Sequence, residues 1–307
     1  MHTILLYYKY TDIADPQALA YGQRSLCEKL KLKGRVIIAH EGVNATVEGT
    51  IEAIEQYIAE MKRDSRFADV HWKKSAGSID GQSFPKLSIK VRKEIVSLHL
   101  DDFDPATGDI NPAQLTGKRL SPEELRQWFA EGREFEIVDM RNDYEHASGH
   151  FKGSVLPPLK NFRDLAKVLP QLQPLKNKTV LSVCTGGVRC EKASAYLVKQ
   201  GFQDVYQLDG GIVSYMEKYP GQDFAGALYV FDGRVTMHFD KAEEHKVIGR
   251  CGRCERASEH YVNCKNLSCH YHFICCTDCV DEKGEAYCSD CVSKFSDVPA
   301  VVSVTGH

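Results

Sequence analysis

The residues best suited to covalent chemistry in this chain are Cys184 and those of the loop that follows it. Residues 179–183 are mostly β-branched or apolar, as in a buried strand, and a helix pattern begins near residue 190. The loop between them contains Cys184, Thr185, Gly186, Gly187, Val188 and Arg189, and Cys190 comes next. This order would surround the sulfur of Cys184 with backbone N–H groups, a helix N-terminus and the charge of Arg189. All three favour the thiolate, which is the nucleophilic form of cysteine.

The length of this loop separates two kinds of cysteine chemistry. Cysteine phosphatases need the spacing Cys-x5-Arg, but Arg189 lies five positions after Cys184, and the residue six positions after Cys190 is Tyr196. The tighter loop suits a single sulfur atom carried on the cysteine, as in a persulfide. The motif Cys-x-x-Gly-x-Arg resembles the active loop of the rhodanese (sulfurtransferase) family. The alternative is a buried structural cysteine on a rhodanese-like module that serves only for binding.

A second motif carries the same resemblance. The spacings D-x-R-x3-E and G-H-x-x-G match the second signature of the rhodanese family and are formed by Asp139, Arg141, Glu145, Gly149, His150 and Gly153. We interpret Asp139 and Arg141 as supporting residues that satisfy the loop backbone, and His150 as a residue that fixes a turn. The two signatures together predict a rhodanese-like α/β domain over residues 121–222. Its parallel sheet would be covered by helices on both faces, with the reactive loop at the carboxyl ends of the strands.

The first 100 residues predict a separate α+β domain. Strand and helix patterns follow the order β-α-β-β-α-β, which is the ferredoxin-like arrangement of a sheet with two helices on one face. Its last two strands contain a group of cations, with Trp72 and Phe84 interleaved: Lys73, Lys74, Lys86, Lys90, Arg92 and Lys93. These residues predict a platform for phosphates and a stacked base. A charged surface over core aromatic residues is the alternative.

The remaining segments predict connections and a metal-binding region. Residues 101–120 show little periodicity and are interpreted as a linker, 223–250 as a connector and 296–307 as a tail. In residues 251–295, eight cysteines form four paired half-sites: Cys251, Cys254, Cys264, Cys269, Cys276, Cys279, Cys288 and Cys291. Four half-sites suffice for two structural zinc ions, and metal would supply the folding free energy of so small a segment. The sequence leaves open whether the half-sites pair sequentially or interleave, and Cys275 is the spare cysteine.

Composition places limits on the class of protein. The chain has 307 residues, 43% of them hydrophobic, and a net charge of -3. It contains no apolar run of the length that crosses a bilayer, so we expect no membrane association and a cytoplasmic location. Nine of the 12 cysteines lie between Cys251 and Cys291, and crowding in CxxC pairs indicates metal ligation in place of disulfides.

Taken over nearly the whole chain, these features resemble the bacterial rhodanese-containing tRNA uridine hydroxylases. The resemblance rests on residues 41–46 (Glu-Gly-Val-Asn-Ala-Thr), on residues 184–192 and on the Cys-rich segment. It implies that tRNA is the substrate and O₂ the co-substrate, and that the wobble uridine becomes 5-hydroxyuridine. The residues themselves reveal no flavin or nicotinamide motif and no two-His-one-carboxylate pattern, and the electron donor stays unknown.

One mechanism joins the motif and the resemblance. Cys184, as thiolate or persulfide, would add to C6 of the pyrimidine and make C5 electron-rich enough to take up oxygen. Arg189 and the loop N–H groups would hold the anionic species, and Cys190 would be a resolving or supporting thiol. The alternative function is a sulfurtransferase that passes a persulfide sulfur from Cys184 to a thiol or tRNA acceptor. A third possibility is a zinc-stabilised binding module without catalysis.

Overall fold

The N-terminal part of the protein is a five-stranded sheet with two helices. A computed structural model describes residues 2–99, 110–239 and 244–294. The elements run β1 (His2–Tyr10), α1 (Pro16–Lys29), β2 (Lys33–Ala39), β3 (Gly42–Thr50), α2 (Ile51–Lys62), β4 (Lys73–Ala76) and β5 (Leu87–Val91). The strand order β4-β1-β3-β2-β5 is the ferredoxin-like order with one more strand, β5, added parallel to β2. The predicted fold is therefore confirmed.

The two helices of this domain begin at side chains that cap them. The side chain of Asp15 accepts hydrogen bonds from the backbone of Gln17 and Ala18 at 3.0 and 2.9 Å, and Thr50 caps α2 in the same way. Helix α1 ends at Lys29, and Gly34 lies inside β2, where a Cβ atom would come within 2.2 Å of the Thr46 carbonyl oxygen.

Successive side chains of β1 point to opposite faces of the sheet. Leu5 and Tyr7 pack with the helices in the N-terminal core, whereas Leu6 and Tyr8 point to the opposite face. That opposite face lies against the next domain and forms part of the site described below.

The second domain is a parallel four-stranded sheet between two layers of helices. Its elements are β6 (Lys118–Leu120), α3 (Pro122–Ala130), β7 (Glu136–Asp139), α4 (Asp143–His146), β8 (Gly149–Phe151), α5 (Leu165–Leu172), β9 (Thr179–Val183), α6 (Val188–Lys199), β10 (Asp204–Leu208) and α7 (Gly211–Lys218). The order is β6-β10-β9-β7, and all neighbours are parallel. Separate apolar clusters cover the two faces, with α5 and α6 on one side and α3 and α7 on the other. The predicted rhodanese-like architecture is confirmed.

The segments between the domains contain more structure than the sequence predicts. The interpretation of residues 101–120 as a linker needs correction at its end, because Lys118–Leu120 is an edge strand paired with β10; residues 101–109 lie outside the described part. In the predicted connector, β11 (Phe224–Gly226) pairs with β8, and β12 (Leu228–Tyr229) pairs with β13 (Thr236–Met237). The predicted tail, 296–307, also lies outside the described residues. The domain boundaries themselves stay predictions.

The C-terminal described segment is small and poor in regular structure. It contains one hairpin, β14 (Tyr261–Asn263) with β15 (His272–Ile274), and a short helix, α8 (Ser289–Val292). Cysteine side chains make up most of its buried cluster, together with Val262, Phe273 and Ala286. Such a core is too small to stabilise a fold by apolar burial alone, which agrees with a role for metal ions.

Candidate active site and metal centres

Cys184 lies at the carboxyl end of β9, in a tight loop that glycines make possible. Its side chain is fully buried, and the backbone N–H of Gly187 donates to its sulfur at 3.2 Å. Gly187 has φ +95°, a conformation that L side chains rarely adopt. The loop is held from α7, where Ile212 N–H donates to the Cys184 carbonyl oxygen at 2.9 Å. A Cβ atom on Gly211 would come within 2.7 Å of that same oxygen, so this position also requires glycine.

The surroundings of Cys184 favour its thiolate. Burial alone would raise the pKa of the thiol, but a hydrogen bond from Cys190, the charge of Arg189 and the loop N–H groups lower this pKa to about 6. Cys190 is also fully buried, and burial together with the neighbouring Cys184 thiolate raises the pKa of Cys190 well above its usual range. The surroundings of the two thiols therefore differ: they favour the anion at Cys184 and the neutral thiol at Cys190.

Arg189 is fixed by a residue that sequence reasoning did not include in the site. Its guanidinium donates two hydrogen bonds, at 2.5 and 2.7 Å, to the carboxylate of Glu145 on α4. The Glu145 side chain is fully buried, and the pair keeps the pKa of Arg189 above its usual range against the opposing effect of burial. Glu145 belongs to the D-x-R-x3-E motif, so the motif was a signal, but its partner could not be read from spacing.

The supporting residues of the sequence analysis lie beneath this pair. Arg141 and Asp139 form a fully buried ion pair with a contact of 2.6 Å, and Arg141 also donates to the Gly149 carbonyl oxygen at 2.6 Å. The ring of His150 contacts the His146 carbonyl oxygen at 3.0 Å. These contacts are structural: they satisfy buried backbone groups and fix the turn after α4.

The N-terminal domain completes the site from the other side. Leu6 of β1 packs against Gly186. A Cβ atom added to Gly186 would lie 3.0 Å from Cδ2 of Leu6. Lys73 of β4, itself 8% exposed, donates from Nζ to the Gly186 carbonyl oxygen. Tyr8 donates to Glu191 at 3.2 Å. Both Lys73 and Leu6 are more than 100 residues from the loop, as the separation of 113 between Lys73 and Gly186 shows.

A second bridge between the domains joins two of the motifs. Lys192, buried on α6, contacts the carboxylates of Glu41 and Glu94 at 2.9 and 2.7 Å. Glu41 also accepts a hydrogen bond from the backbone of Ile95 at 2.6 Å. The Glu-Gly-Val-Asn-Ala-Thr segment at residues 41–46 therefore contributes to docking the N-terminal sheet on the reactive domain.

Between the two domains lies a cavity of about 420 Å³ with Cys184 in its wall. Apolar residues such as Ile4, Leu6 and Ile37 line one side, and Thr185, Gly186 and Arg189 of the loop line the other. This volume lies in the range of small-molecule sites, and the mixture of apolar walls with a few polar groups is typical of them.

The structure brings together only part of the predicted basic platform. β4 and β5 are at opposite edges of the sheet, so the cations on them do not form one surface. Trp72 packs against Tyr7 with ring centroids 4.7 Å apart and Phe84 is buried, so neither is a stacking surface for a base. Lys73, Lys74 and Arg92 do line the cavity, and so does Arg35, which the sequence analysis did not single out.

Comparison with known proteins places the chain in a family. Three family profiles match it: the UPF0176 acylphosphatase like domain at residues 2–95, the rhodanese-like domain at residues 121–218 and the rhodanase C-terminal at residues 225–292. A tRNA uridine(34) hydroxylase of Cytophaga hutchinsonii is 43% identical over 94% of this chain and 89% of its own length. The chain belongs to the tRNA uridine(34) hydroxylase family. The predicted resemblance is thereby confirmed.

Two further members show how much of the chain the family shares. The tRNA uridine(34) hydroxylase of Bacillus licheniformis is 39% identical over 100% of this chain and 92% of its own. That of Bacillus cytotoxicus is 41% identical over 89% of this chain and 82% of its own. In this family member, no helix of the described residues is long and apolar enough to cross a membrane.

The eight predicted metal ligands of this family member form two clusters of four. Cys251 and Cys254 meet Cys276 and Cys279, whereas Cys264 and Cys269 meet Cys288 and Cys291, so the half-sites interleave. The Sγ atoms of Cys254 and Cys276 are 3.6 Å apart, and those of Cys269 and Cys288 are 3.7 Å apart. Sulfur atoms around a tetrahedral zinc ion lie about 3.8 Å apart, given Zn–S bonds of about 2.3 Å. Four thiolates at this spacing fit a metal ion such as zinc, and the distances are far too long for disulfides.

Proposed function

We propose that this chain catalyses the O₂-dependent hydroxylation of uridine 34, the wobble uridine of tRNA, to 5-hydroxyuridine. The observation that carries the proposal is the Cys184 thiolate, which lines a cavity closed by the N-terminal sheet, in a family named for this activity. A base that enters this cavity lies between the apolar residues of β1 and the loop that holds the nucleophile.

The cysteine supplies the activation that uracil lacks. The Sγ thiolate adds to C6, the C5–C6 double bond opens, and its electron pair makes C5 nucleophilic toward oxygen. After the C5–O bond forms, loss of the C5 proton and departure of the thiolate restore the double bond. The base loses two electrons in this exchange of C5–H for C5–OH. The second oxygen atom leaves as water with two further electrons and two protons from an external reductant.

The residues around Cys184 stabilise the anions of this sequence. Arg189, held by Glu145, and the backbone N–H groups of residues 187, 189 and 190 face the sulfur and would stabilise the negative charge that moves onto the base. Before the reaction, the Cys190 thiol donates a hydrogen bond to the Cys184 thiolate. The raised pKa of Cys190 keeps this thiol protonated. Thr185, Gly186 and Val188 shape the loop and the cavity wall.

The position of the wobble base in tRNA would allow it to enter this cavity. A wobble base lies in a single-stranded loop, from which it can be turned outward without breaking a duplex. The exposed cations Arg35 and Arg92 lie at the cavity, where they can contact the phosphates on either side of the base. We propose tRNA as the macromolecular partner, an unidentified two-electron reductant as the second partner and the cytoplasm, where tRNA is modified, as the location.

We also propose that the protein binds two zinc ions as structural cofactors. Each ion would be held by one of the interleaved four-cysteine clusters. Its binding would stabilise the folded C-terminal segment. All four ligands of each cluster are thiolates, so the sites have no open position for a substrate.

The test is mass spectrometry of nucleosides from tRNA of cells that lack the gene, complemented with variants. Wild type restores 5-hydroxyuridine or its further modified forms, and Cys184→Ser does not. Cys27→Ala is the matched control, because Cys27 is also a fully buried thiol but lies in the N-terminal core. Full hydroxylation with Cys184→Ser would refute the proposal. A sulfur-containing nucleoside that depends on Cys184 would instead support the sulfurtransferase.

A further inference from the structure

Two histidines and one glutamate meet where the connector contacts the C-terminal segment. His245 Nε2 lies 2.9 Å from Glu259 Oε1, and His238 Nε2 lies 3.6 Å from Glu259 Oε2. The two imidazoles approach each other through their Nδ1 atoms at 3.4 Å, with ring centroids 4.2 Å apart. The side chains of His245 and Glu259 are only 12% and 14% exposed, whereas that of His238 is 44% exposed.

This arrangement has the donor atoms of a metal site. One ligand atom from each residue can be chosen so that all three lie within 4.8 Å of one another. Ligands with bonds of about 2.0–2.2 Å to one ion are separated by roughly 3–3.6 Å. Imidazole and carboxylate groups rotate in broad torsional wells, so small rotations close the difference.

The three groups contact one another directly. One protonated histidine would satisfy the carboxylate, but the second ring also faces both Glu259 and the first ring. Two imidazolium ions at this distance repel each other, and two neutral rings each retain an unprotonated nitrogen. A divalent cation between the three groups would accept a lone pair from each ring and would be balanced in part by the carboxylate.

We propose that His238, His245 and Glu259 bind one divalent first-row transition metal ion. Imidazole nitrogen with carboxylate oxygen suits Fe²⁺, Mn²⁺, Co²⁺ or Zn²⁺ better than Ca²⁺ or Mg²⁺. Three protein ligands leave coordination positions for water or another small molecule, unlike the closed four-cysteine clusters. This is the donor set that non-haem Fe(II) oxygenases use. The site does not rest on the proposed function, since the three residues define it by themselves.

The site is separate from the cysteine clusters and adjacent in the chain to the cavity. Met237 lines the cavity with Cys184, and His238 is the next residue, so their Cα atoms are about 3.8 Å apart. No pattern in the sequence signals the site, because the three ligands follow one another at separations of 7 and 14 residues, which match no common metal motif. Only the fold brings them together.

The experiment counts metal ions and follows Co²⁺ binding to the full-length, zinc-loaded protein. We expect wild type to bind one equivalent of Co²⁺ beyond its two zinc ions, with the weak visible bands of nitrogen and oxygen ligands. His245→Ala and Glu259→Gln should weaken this binding at least tenfold and retain both zinc ions. The retained zinc shows that the C-terminal segment is still folded.

The matched control is His99→Gln. His99 also contacts a carboxylate, that of Glu94 at 3.8 Å, but lies outside the group of three. It should leave Co²⁺ affinity unchanged. Should His245→Ala or Glu259→Gln lose zinc, the exposed His238→Ala variant replaces it, with the same expected loss of affinity. Absence of a third equivalent in wild type would overturn the proposal, as would equal affinity in wild type and in the folded ligand variants.

Discussion

Lys73 of the N-terminal sheet donates a hydrogen bond from Nζ to the Gly186 carbonyl oxygen, at the centre of the Cys184 loop. The ammonium group is buried, lies 5.5 Å from the centre of the Tyr8 ring and lines the same cavity as Cys184. A cation from one domain thus contacts the backbone of the Cys184 loop in the other. The reactive domain alone does not contain the whole site.

Replacing Lys73 tests this relationship. Lys73→Met removes a cation near the thiolate, so we expect the pKa of Cys184 to rise by about 1. The measurement is the pH dependence of Cys184 alkylation, followed by mass spectrometry. Lys74→Met is the control, because Lys74 is exposed and pairs with Glu55 at 2.5 Å. Equal pKa values in wild type and Lys73→Met, or the same rise in both variants, would contradict the interpretation.

The pH dependence of kcat/KM should be bell-shaped. The proposed mechanism requires the Cys184 thiolate, whose fraction increases as pH rises through about 6. Burial lowers the pKa of Lys73 to about 8, so its positive charge is lost as pH rises through that value. We expect Lys73→Arg to remove the basic limb, since arginine stays charged, and to leave the acidic limb in place. A profile whose basic limb is unchanged in Lys73→Arg would show that another group controls it.

The pair of Arg189 and Glu145 should be important for stability. Glu145→Gln leaves a buried guanidinium without its carboxylate, and breaking such a pair costs about 3–5 kcal/mol in the free energy of unfolding. Glu136→Gln is the matched control, since Glu136 contacts Lys178 at 2.7 Å on the surface, where a pair contributes about 0–1 kcal/mol. Denaturant unfolding of both variants measures the difference. Similar values would mean that Glu145 is not paired with Arg189 in solution.

The interleaved cysteine clusters predict which substitutions act together. Cys254→Ser and Cys279→Ser should each remove the same zinc ion, so the double variant should lose no more zinc than either single variant. Combining Cys254→Ser with Cys288→Ser should remove both ions, because these residues belong to different clusters. Metal content by mass spectrometry distinguishes the cases, and Cys275→Ala should retain both ions. Sequential pairing would give a different result: Cys254 and Cys279 would then affect different ions.

Arg35 and Arg92 should contribute to tRNA affinity without base preference. Each phosphate contact to a single strand adds about 0.7 to the slope of log K against log salt concentration. The double variant Arg35→Ala, Arg92→Ala should therefore bind tRNA more weakly and reduce the slope by about 1.4, if both make contacts. Filter binding over a range of salt concentrations measures it. Lys90→Ala is the control, because Lys90 is exposed on β5 and does not line the cavity. An unchanged slope in the double variant would place the tRNA elsewhere.

Much of the architecture follows from local patterns that the sequence displays directly. The capping residues Asp15, Thr50 and Ser121 precede helices because their side chains satisfy free N–H groups within three residues. The loop after Cys184 is equally local: its two glycines permit a turn that only a few residue types can form. Position along the chain is enough to recognise such features.

Two predictions from the sequence need correction: the single basic platform and the linker that continues to residue 120. Both concern relations between distant segments. The sequence of β5 does not specify which edge of the sheet it joins. In the structure β5 pairs with β2, at the opposite edge from β4. The strand at residues 118–120 has too few residues to show a period, and its pairing with β10 depends on the rest of the sheet. Neither fact is encoded in a local repeat.

Residue types at short, fixed spacing were enough to predict the Cys184 loop, the two larger folds and the eight cysteines of the metal clusters. No local pattern predicts that Lys73 contacts Gly186, that Glu145 pairs with Arg189 or that the cysteine half-sites interleave. These contacts join residues tens to more than a hundred positions apart. Their partners are selected by how whole domains pack, and no periodicity in the chain records that choice.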